Sequence, residues 1–270
     1  MRREFLAATA LGSATFLGGW TAQAQTAMPY FDWAGPYVGG GISLGGGAGP
    51  TTLFYPKGGS QYAVFLNNSP HLDLDTTSYA PWPTDIPLSG QAGFTGTWGF
   101  NWQGGNIVYG VEADAALSTL NHFGMHLEEP SYNRVSDLSV DGGVNALFTL
   151  RPRMGIAIDR LLLYGTGGLA LGQASFKTNA QITDDGKGAT WQGESSAWQP
   201  GFVVGGGGEY AVNDKFSVKF EALYYNLGKI NLTANGTAHD DSNTPEDAAP
   251  YTGTMTLQGT VAKVGINFHM

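Results

Sequence analysis

The 270-residue chain carries 41 glycines, 12% aromatic residues and no cysteine, with 13 basic and 22 acidic side chains and a formal charge of −9. Without cysteine there are no disulfides, thiolate nucleophiles or thiolate metal sites, and the acidic balance leaves no basic track for a phosphate backbone, which excludes nucleic acid as an expected partner. Glycine at more than double the usual ~7%, with no Gly-x-y period, points to a tightly curved sheet rather than to collagen.

The first 24 residues have the form of an export signal. Arg2 and Arg3 make a basic head, Phe5 to Trp20 an apolar run too short to span a bilayer, and Ala22-Gln23-Ala24 a small-x-small cleavage pattern. Setting aside residues 1–24 leaves 11 of the 13 basic and 21 of the 22 acidic side chains, a formal charge of −10. Residues 25–34 are expected to form a short periplasmic segment, and 35–270 the folded domain. No later segment offers ~20 consecutive apolar residues, so a helical membrane span is excluded.

Eight segments of period two follow. The first runs from about Gly35 to Leu44, with Val38, Ile42 and Leu44 on one face and Tyr37, Gly39 and Gly41 on the other. Residues 45–88 break the alternation with six prolines and read as a long exposed loop. The second strand, about Ser89 to Trp102, turns at Gly104-Gly105-Asn106 into the third, Ile107 to about Ser118, where Tyr109, Val111 and Ala113 oppose Glu112 and Asp114. A second loop covers about 119–137.

The fourth strand, about Leu138 to Ala157, sets Phe148, Leu150, Met154 and Ile156 against Thr149, Arg151 and Arg153. Pro152 lacks a ladder donor in mid-strand and predicts a bulge there. Asp159-Arg160 turns the chain into the fifth strand from Leu161, and a third loop is expected over about 178–197. The sixth strand, Trp198 to Ala211, places Glu209 opposite Phe202, Val204 and Tyr210. Asn213-Asp214 leads to the seventh, where Lys219 and Glu221 oppose Val218, Phe220 and Ala222. A fourth, acidic loop covers about 229–250, and the last strand is Thr252 to Met270, with Lys263 opposite Val264, Ile266 and Phe268.

Short and long connections in strict alternation around eight such strands describe an all-β, eight-stranded antiparallel up-and-down transmembrane barrel, with the four long loops outside the cell. A secreted β-sandwich is the alternative that alternation alone leaves open. The charges favour the barrel. Glu112, Asp114, Arg151, Arg153, Glu209, Lys219, Glu221 and Lys263 all lie opposite the apolar face, four of each sign. A narrow closed lumen holds such a set only if it is paired, because isolated buried charges are expensive. Glu112 and Asp114 are expected to meet Arg151 and Arg153 on the neighbouring strand.

The strands also resemble a known family. Trp33-Ala34-Gly35-Pro36-Tyr37-Val38-Gly39-Gly40, Gly99-Phe100-Asn101-Trp102-Gln103, Val108-Tyr109-Gly110-Val111-Glu112-Ala113-Asp114, Tyr164-Gly165-Thr166-Gly167-Gly168-Leu169-Ala170 and Lys219-Phe220-Glu221-Ala222-Leu223-Tyr224-Tyr225-Asn226-Leu227-Gly228 are similar to the hairpins of the small outer-membrane β-barrel proteins of alphaproteobacteria, loosely called the porin family. The resemblance implies an integral protein of the outer membrane with surface-exposed loops, in some relatives engaged with host cells or haem, and it implies no catalytic residues. Pro152 departs from it, standing where the family usually has glycine.

No nucleophile elbow, zinc-binding His-Glu-x-x-His or phosphate loop occurs. His122 and His126, four apart, could share a metal or haem if that segment were locally helical but are expected to be polar loop residues with no common ligand, and the acidic loop pairs lack calcium-loop spacing. No catalytic, cofactor or metal residue is therefore assigned, and no enzyme is expected. The expected function is a structural or surface-interaction barrel with a filled lumen, the alternative a narrow porin-like channel or a haem-type ligand transporter. Expected partners are outer-membrane lipid and lipopolysaccharide, the barrel-assembly machinery, and an extracellular or host ligand of the loops. For the assembly machinery the signal is the closing strand: Met270 stands where Phe or Tyr is usual, so Phe268 is expected to carry more of the recognition.

Overall fold

A computed structural model describes residues 31–46, 51–54, 91–118, 123–131, 134–184, 187–239 and 245–270. The expected export signal lies outside these residues, as does most of the stretch 45–88. The described residues form ten strands: β1 (Gly35–Gly46), β2 (Thr51–Phe54), β3 (Gln91–Gly104), β4 (Ile107–Ser118), β5 (Phe123–Ser131), β6 (Arg134–Ile158), β7 (Leu161–Asp184), β8 (Lys187–Ala211), β9 (Phe216–His239) and β10 (Pro245–His269). Eight of them, β1-β3-β4-β6-β7-β8-β9-β10, form one antiparallel sheet, and β10 returns to pair with β1 from Tyr37↔His269 to Gly46↔Thr260. The ring closes into an eight-stranded up-and-down barrel. β2 adds to β10 and β5 to β6 beyond the ring.

The faces follow the alternation. Leu150, Met154 and Ile156 of β6 are 52%, 63% and 57% exposed on the outer wall, while Thr149, Arg151 and Arg153 between them are buried. A sandwich would bury the first set. Here the wall from Ile107 and Met154 round to Val218 and Ile266 presents apolar side chains outward. Aromatic side chains edge this belt near the tight turns (Trp102 stacked on Tyr109 at 5.6 Å, Phe216 near Phe268 at 5.3 Å) and at its far rim (Phe148 near Trp198 at 5.8 Å, Phe202 near Tyr224 at 6.2 Å). A bilayer-spanning barrel carries such an apolar belt between two aromatic girdles.

Three turns join strands at one end. Gly105, at φ 62°, and Asp159, at φ 52°, adopt the left-handed backbone that two-residue hairpins require. At the third, Asn213 Oδ1 accepts the amides of Lys215 and Phe216, both at 2.9 Å.

At the other end the strands run further than alternation predicts. The stretches expected as loops at 178–197 and 229–250 are mostly paired backbone, from Thr178↔Gly193 to Asp184↔Lys187 and from Thr233↔Thr252 to His239↔Pro245, and 123–131 pairs with 134–142 inside the expected second loop. The alternation was hidden by phase slips. Gly228, at φ 78°, with its amide on Asn226 Oδ1 at 2.9 Å, lets both Leu227 and Ile230 face inward, and the register shift between Val144 and Ala146 does the same for Val144 and Leu147.

The bulge expected at Pro152 is absent. β6 and β7 pair at Leu150↔Leu169 and again at Arg153↔Thr166 in unchanged register, and Pro152 still pairs with Val111 of β4. Thr166 Oγ1 donates to the Pro152 carbonyl at 2.9 Å, a side-chain bond beside the rung that the imino nitrogen cannot make. One interruption is longer: β8 and β9 pair at Gln192↔Asn235 and next at Phe202↔Asn226, with no rung between.

Candidate functional site

The barrel interior has three layers. Nearest the tight turns is an aromatic floor, next the charged residues, and above them an apolar cluster that includes Leu147, Phe176, Leu223, Leu227 and Leu232. All eight charged residues singled out from the sequence lie in the middle layer, each no more than 4% exposed.

Adjacent-strand register supplies the first pairs. Glu112 on β4 stands opposite Arg151 on β6, and Glu221 on β9 opposite Lys263 on β10. Arg151 Nη2 donates to Glu112 Oε1 at 2.6 Å, to Asp114, and across the lumen to Glu221 Oε2 at 3.1 Å. Arg153 Nη1 reaches Glu112 at 3.3 Å and Glu209 of β8 at 3.2 Å, but does not pair with Asp114. Lys219 Nζ donates to Glu112 Oε2 at 2.9 Å, and Lys263 Nζ lies 3.4 Å from Asp114 and 3.5 Å from Glu221. The eight thus join into one network spanning β4, β6, β8, β9 and β10. A wide water-filled pore would leave these groups solvated. Here they are packed against one another at hydrogen-bond distance.

Uncharged neighbours add further hydrogen bonds to the layer, although Arg151 Nε and Nη1 and Arg153 Nη2 are buried without a hydrogen-bond partner among the described residues. Tyr37 donates to Glu112 Oε2 at 2.7 Å, Thr97 to Asp114 at 2.7 Å, Tyr164 to Glu221 Oε1 at 3.1 Å, and Asn267 to Glu209 Oε1 at 2.6 Å. The guanidinium of Arg153 sits between the rings of Tyr37 and Tyr164, 4.6 and 4.9 Å from their centroids, so the cation is stabilised on two faces as well as at its edge. Glycine makes room for these long side chains. A Cβ at Gly99 would lie 2.2 Å from the Tyr37 ring. Sequence reasoning assigned the charges but not Tyr37, Tyr164, Asn101 or Asn267; their inward parity beside glycine was the available signal.

The floor lies below. Phe31 and Trp33 are buried with Val108, Ala157, Leu162, Tyr164 and Ala211, so the last residues of the expected periplasmic segment 25–34 are tucked into the barrel mouth rather than free of it. Above the charges, a cavity of about 30 Å³ lined by Ser43, Ala116, Val144, Leu147, Tyr225 and Val261, among others, has room for a water molecule or so.

Two arrangements bear on chemistry. Ser217, His269 and Glu209 converge, but not as a relay. Ser217 Oγ donates directly to Glu209 Oε1 at 2.5 Å, and His269 meets both partners through the same nitrogen, Nε2, at 2.9 Å from Ser217 and 3.4 Å from Glu209. A nucleophilic triad needs the two ring nitrogens to serve serine and carboxylate separately. Glu112, Asp114 and Glu221 bring carboxylate oxygens within 4.8 Å of one another, yet Arg151, Lys219 and Lys263 hold those oxygens. His126 lies in β5, an extended strand, which removes the helical spacing that would set it beside His122; His122 is outside the described residues.

Phe268 and Met270 both point outward at the closing strand. Phe268 pairs with Val38 and Phe216, and Met270 N donates to the Pro36 carbonyl at 3.1 Å.

Comparison with known proteins gives a family match over residues 12–267, to the outer membrane protein beta-barrel domain. The chain is 30% identical over 218 residues to a 31 kDa outer-membrane immunogenic protein of Brucella melitensis, covering 77% of this chain and 78% of that protein. It is 31% identical over 126 residues to a 22 kDa outer membrane protein of Rhizobium leguminosarum, covering 47% and 48% of the two chains. Solved structures overlap more loosely: OprG from Pseudomonas aeruginosa at 12% identity, 89% and 98% coverage and TM-score 0.39, and Neisserial surface protein A at 12%, 88% and 98%, and 0.31.

Proposed function

This chain belongs to the outer-membrane protein β-barrel family, and we propose that within the outer membrane it is a structural and surface-interaction protein whose lumen passes no solute. The observation that carries this reading is the network centred on Arg151 and Glu112. An eight-stranded barrel is only wide enough for side chains to fill, and here five of the eight staves contribute charged groups to one paired layer. Opening a path through it would separate buried ion pairs, each of which is costly to break.

Interaction then belongs to the extended hairpins. A strand of 24 residues such as β7 rises roughly 60 Å along the barrel axis at the usual tilt, more than twice the ~25 Å of an apolar belt. Beyond the belt the outward side chains turn polar, as with Lys177, Asn179 and Gln181 on β7 and Lys229, Asn231 and Thr233 on β9. These hairpins and their loops are the surface offered to an extracellular or host ligand, and a relative named an immunogenic protein is consistent with such exposure. Lipid and lipopolysaccharide contact the belt, and the assembly machinery reads the closing strand. No enzymatic role is proposed, because the Ser217 proton is already committed to Glu209.

Liposome swelling with sugars from pentoses to disaccharides tests the reading. Vesicles containing the folded chain should swell no faster than empty ones. Swelling that depends on sugar size would instead assign a transport role.

A further inference from the structure

The Trp33-Ala34-Gly35-Pro36-Tyr37 motif begins before the barrel does, and its first residue makes no use of the strand ladder. Trp33 is fully buried beneath the charged layer. Its backbone is held from one side: Gln103 Oε1 accepts its amide at 2.7 Å and Asn101 Nδ2 donates to its carbonyl at 3.1 Å, both from β3. Its ring is held from the other side. The His269 imidazole of β10 packs edge-on against Trp33 at 5.7 Å and against Phe31 at 5.2 Å. In the ring order, β1 lies between β3 and β10. The segment therefore passes under β1 and ties its two neighbours to each other. Gly35, at φ 115°, then turns the chain from the floor up into β1, a backbone that a residue with a Cβ rarely adopts.

The seam so bridged is the one that joins the two ends of the chain. The β1–β10 pairing has the greatest sequence separation in the barrel, so its closure carries the largest loop-entropy cost and comes after local hairpins have formed. We propose that Phe31–Ala34 is a closure latch, a segment that seats in the periplasmic mouth when β10 meets β1 and keeps that seam from reopening. The latch is also wired to the layer above. The Asn101 side chain that holds the Trp33 carbonyl accepts Arg153 Nε at 2.9 Å, and His269 contacts Ser217 and Glu209. The same residues thus register the floor against the ion-pair network. Sealing against solutes needs no latch, since the network already fills the lumen above it.

Amide hydrogen exchange on the folded full-length chain in micelles separates a latch from simple packing. In Trp33→Ala, exchange at the β1–β10 rungs near the floor, Val38↔Phe268 and Gly40↔Ile266, should rise about tenfold or more, while the hydrogen-bonded β7–β8 rungs Tyr164↔Gly207 and Thr166↔Gly205 change less than about twofold. An equal rise at both seams would reduce Trp33 to general packing and overturn the proposal, as would no rise at either. If Trp33→Ala fails to fold, Phe31→Ala removes one ring and Gln103→Met removes the bond to the Trp33 amide together with the Gln103 bond to the Gly105 carbonyl, and both must show the same seam preference. Planar-bilayer current in any folded variant should remain closed; a current appearing would count against the filled lumen, while the exchange pattern alone decides the latch.

Discussion

Replacing Glu112 with glutamine keeps the side-chain shape and removes one charge from the centre of the lumen. Its carboxylate accepts from Tyr37 at 2.7 Å, Arg151 at 2.6 Å, Arg153 at 3.3 Å and Lys219 at 2.9 Å, with no solvent exposure. The amide leaves one acceptor oxygen for four donors and turns an N–H group toward cations, and the layer then holds three acids against four bases. Breaking a buried pair in this way costs about 3–5 kcal/mol, or a factor of roughly 10² to 10⁴ in the folded-to-unfolded ratio. Urea titration of refolded barrel in micelles, read by the mobility of unboiled samples in gels, measures the loss. Lys219 makes its one hydrogen bond among the described residues to Glu112, so adding Lys219→Met restores charge balance and should recover at least half of it. A Glu112→Gln barrel within about 0.5 kcal/mol of the parent, the range of ordinary surface substitutions, would show instead that water screens the layer and that its ion pairs carry no such energy.

Three further outcomes are expected. Phe268→Ala should lower the yield of folded protein in outer membranes more than Met270→Ala does; unchanged insertion of the Phe268 variant would reassign the assembly signal. Gly99→Ala drives a Cβ to within 2.2 Å of the Tyr37 ring that Glu112 holds, so it should lower stability by about 1–3 kcal/mol in the same urea assay, whereas Gly96→Ala, with nothing within 4 Å of its Cβ, should stay within about 0.5 kcal/mol. Because no rung joins β8 and β9 between Gln192↔Asn235 and Phe202↔Asn226, those amides at 194–200 and 228–233 that face this seam should exchange faster than those of the paired β7–β8 ladder at equal height; equal protection would mean that the wall is sealed there.

Parity carried most of what the sequence could say. One phase of period two put Glu112, Arg151, Lys219 and their partners on the inner face and Leu150, Met154 and Ile266 on the outer one, and the equal count of acids and bases required pairing. Adjacent pairs such as Glu112 with Arg151 were accessible because hairpin order makes β4 and β6 neighbours. The pairs of Arg151 with Glu221 and Arg153 with Glu209 were not, since they cross the lumen and depend on the height at which each strand enters it. The same holds for Trp33, whose place is set by a reversal at Gly35 rather than by any strand period. Strand ends were lost where Gly228 and Val144/Ala146 shift the phase, and Pro152 misled because neighbouring rungs and Thr166 hold the register without its donor.

Whether the folded, membrane-inserted barrel is blocked by its own ion pairs is read from single-channel recording in planar bilayers. Purified full-length chain, shown by its gel mobility to be folded, should insert without producing a stable open current across the voltage range, and Trp33→Ala should behave alike because the Arg151–Glu112 layer remains above the floor. A large, long-lived open state in the parent protein would mean that the ion pairs do not block the lumen.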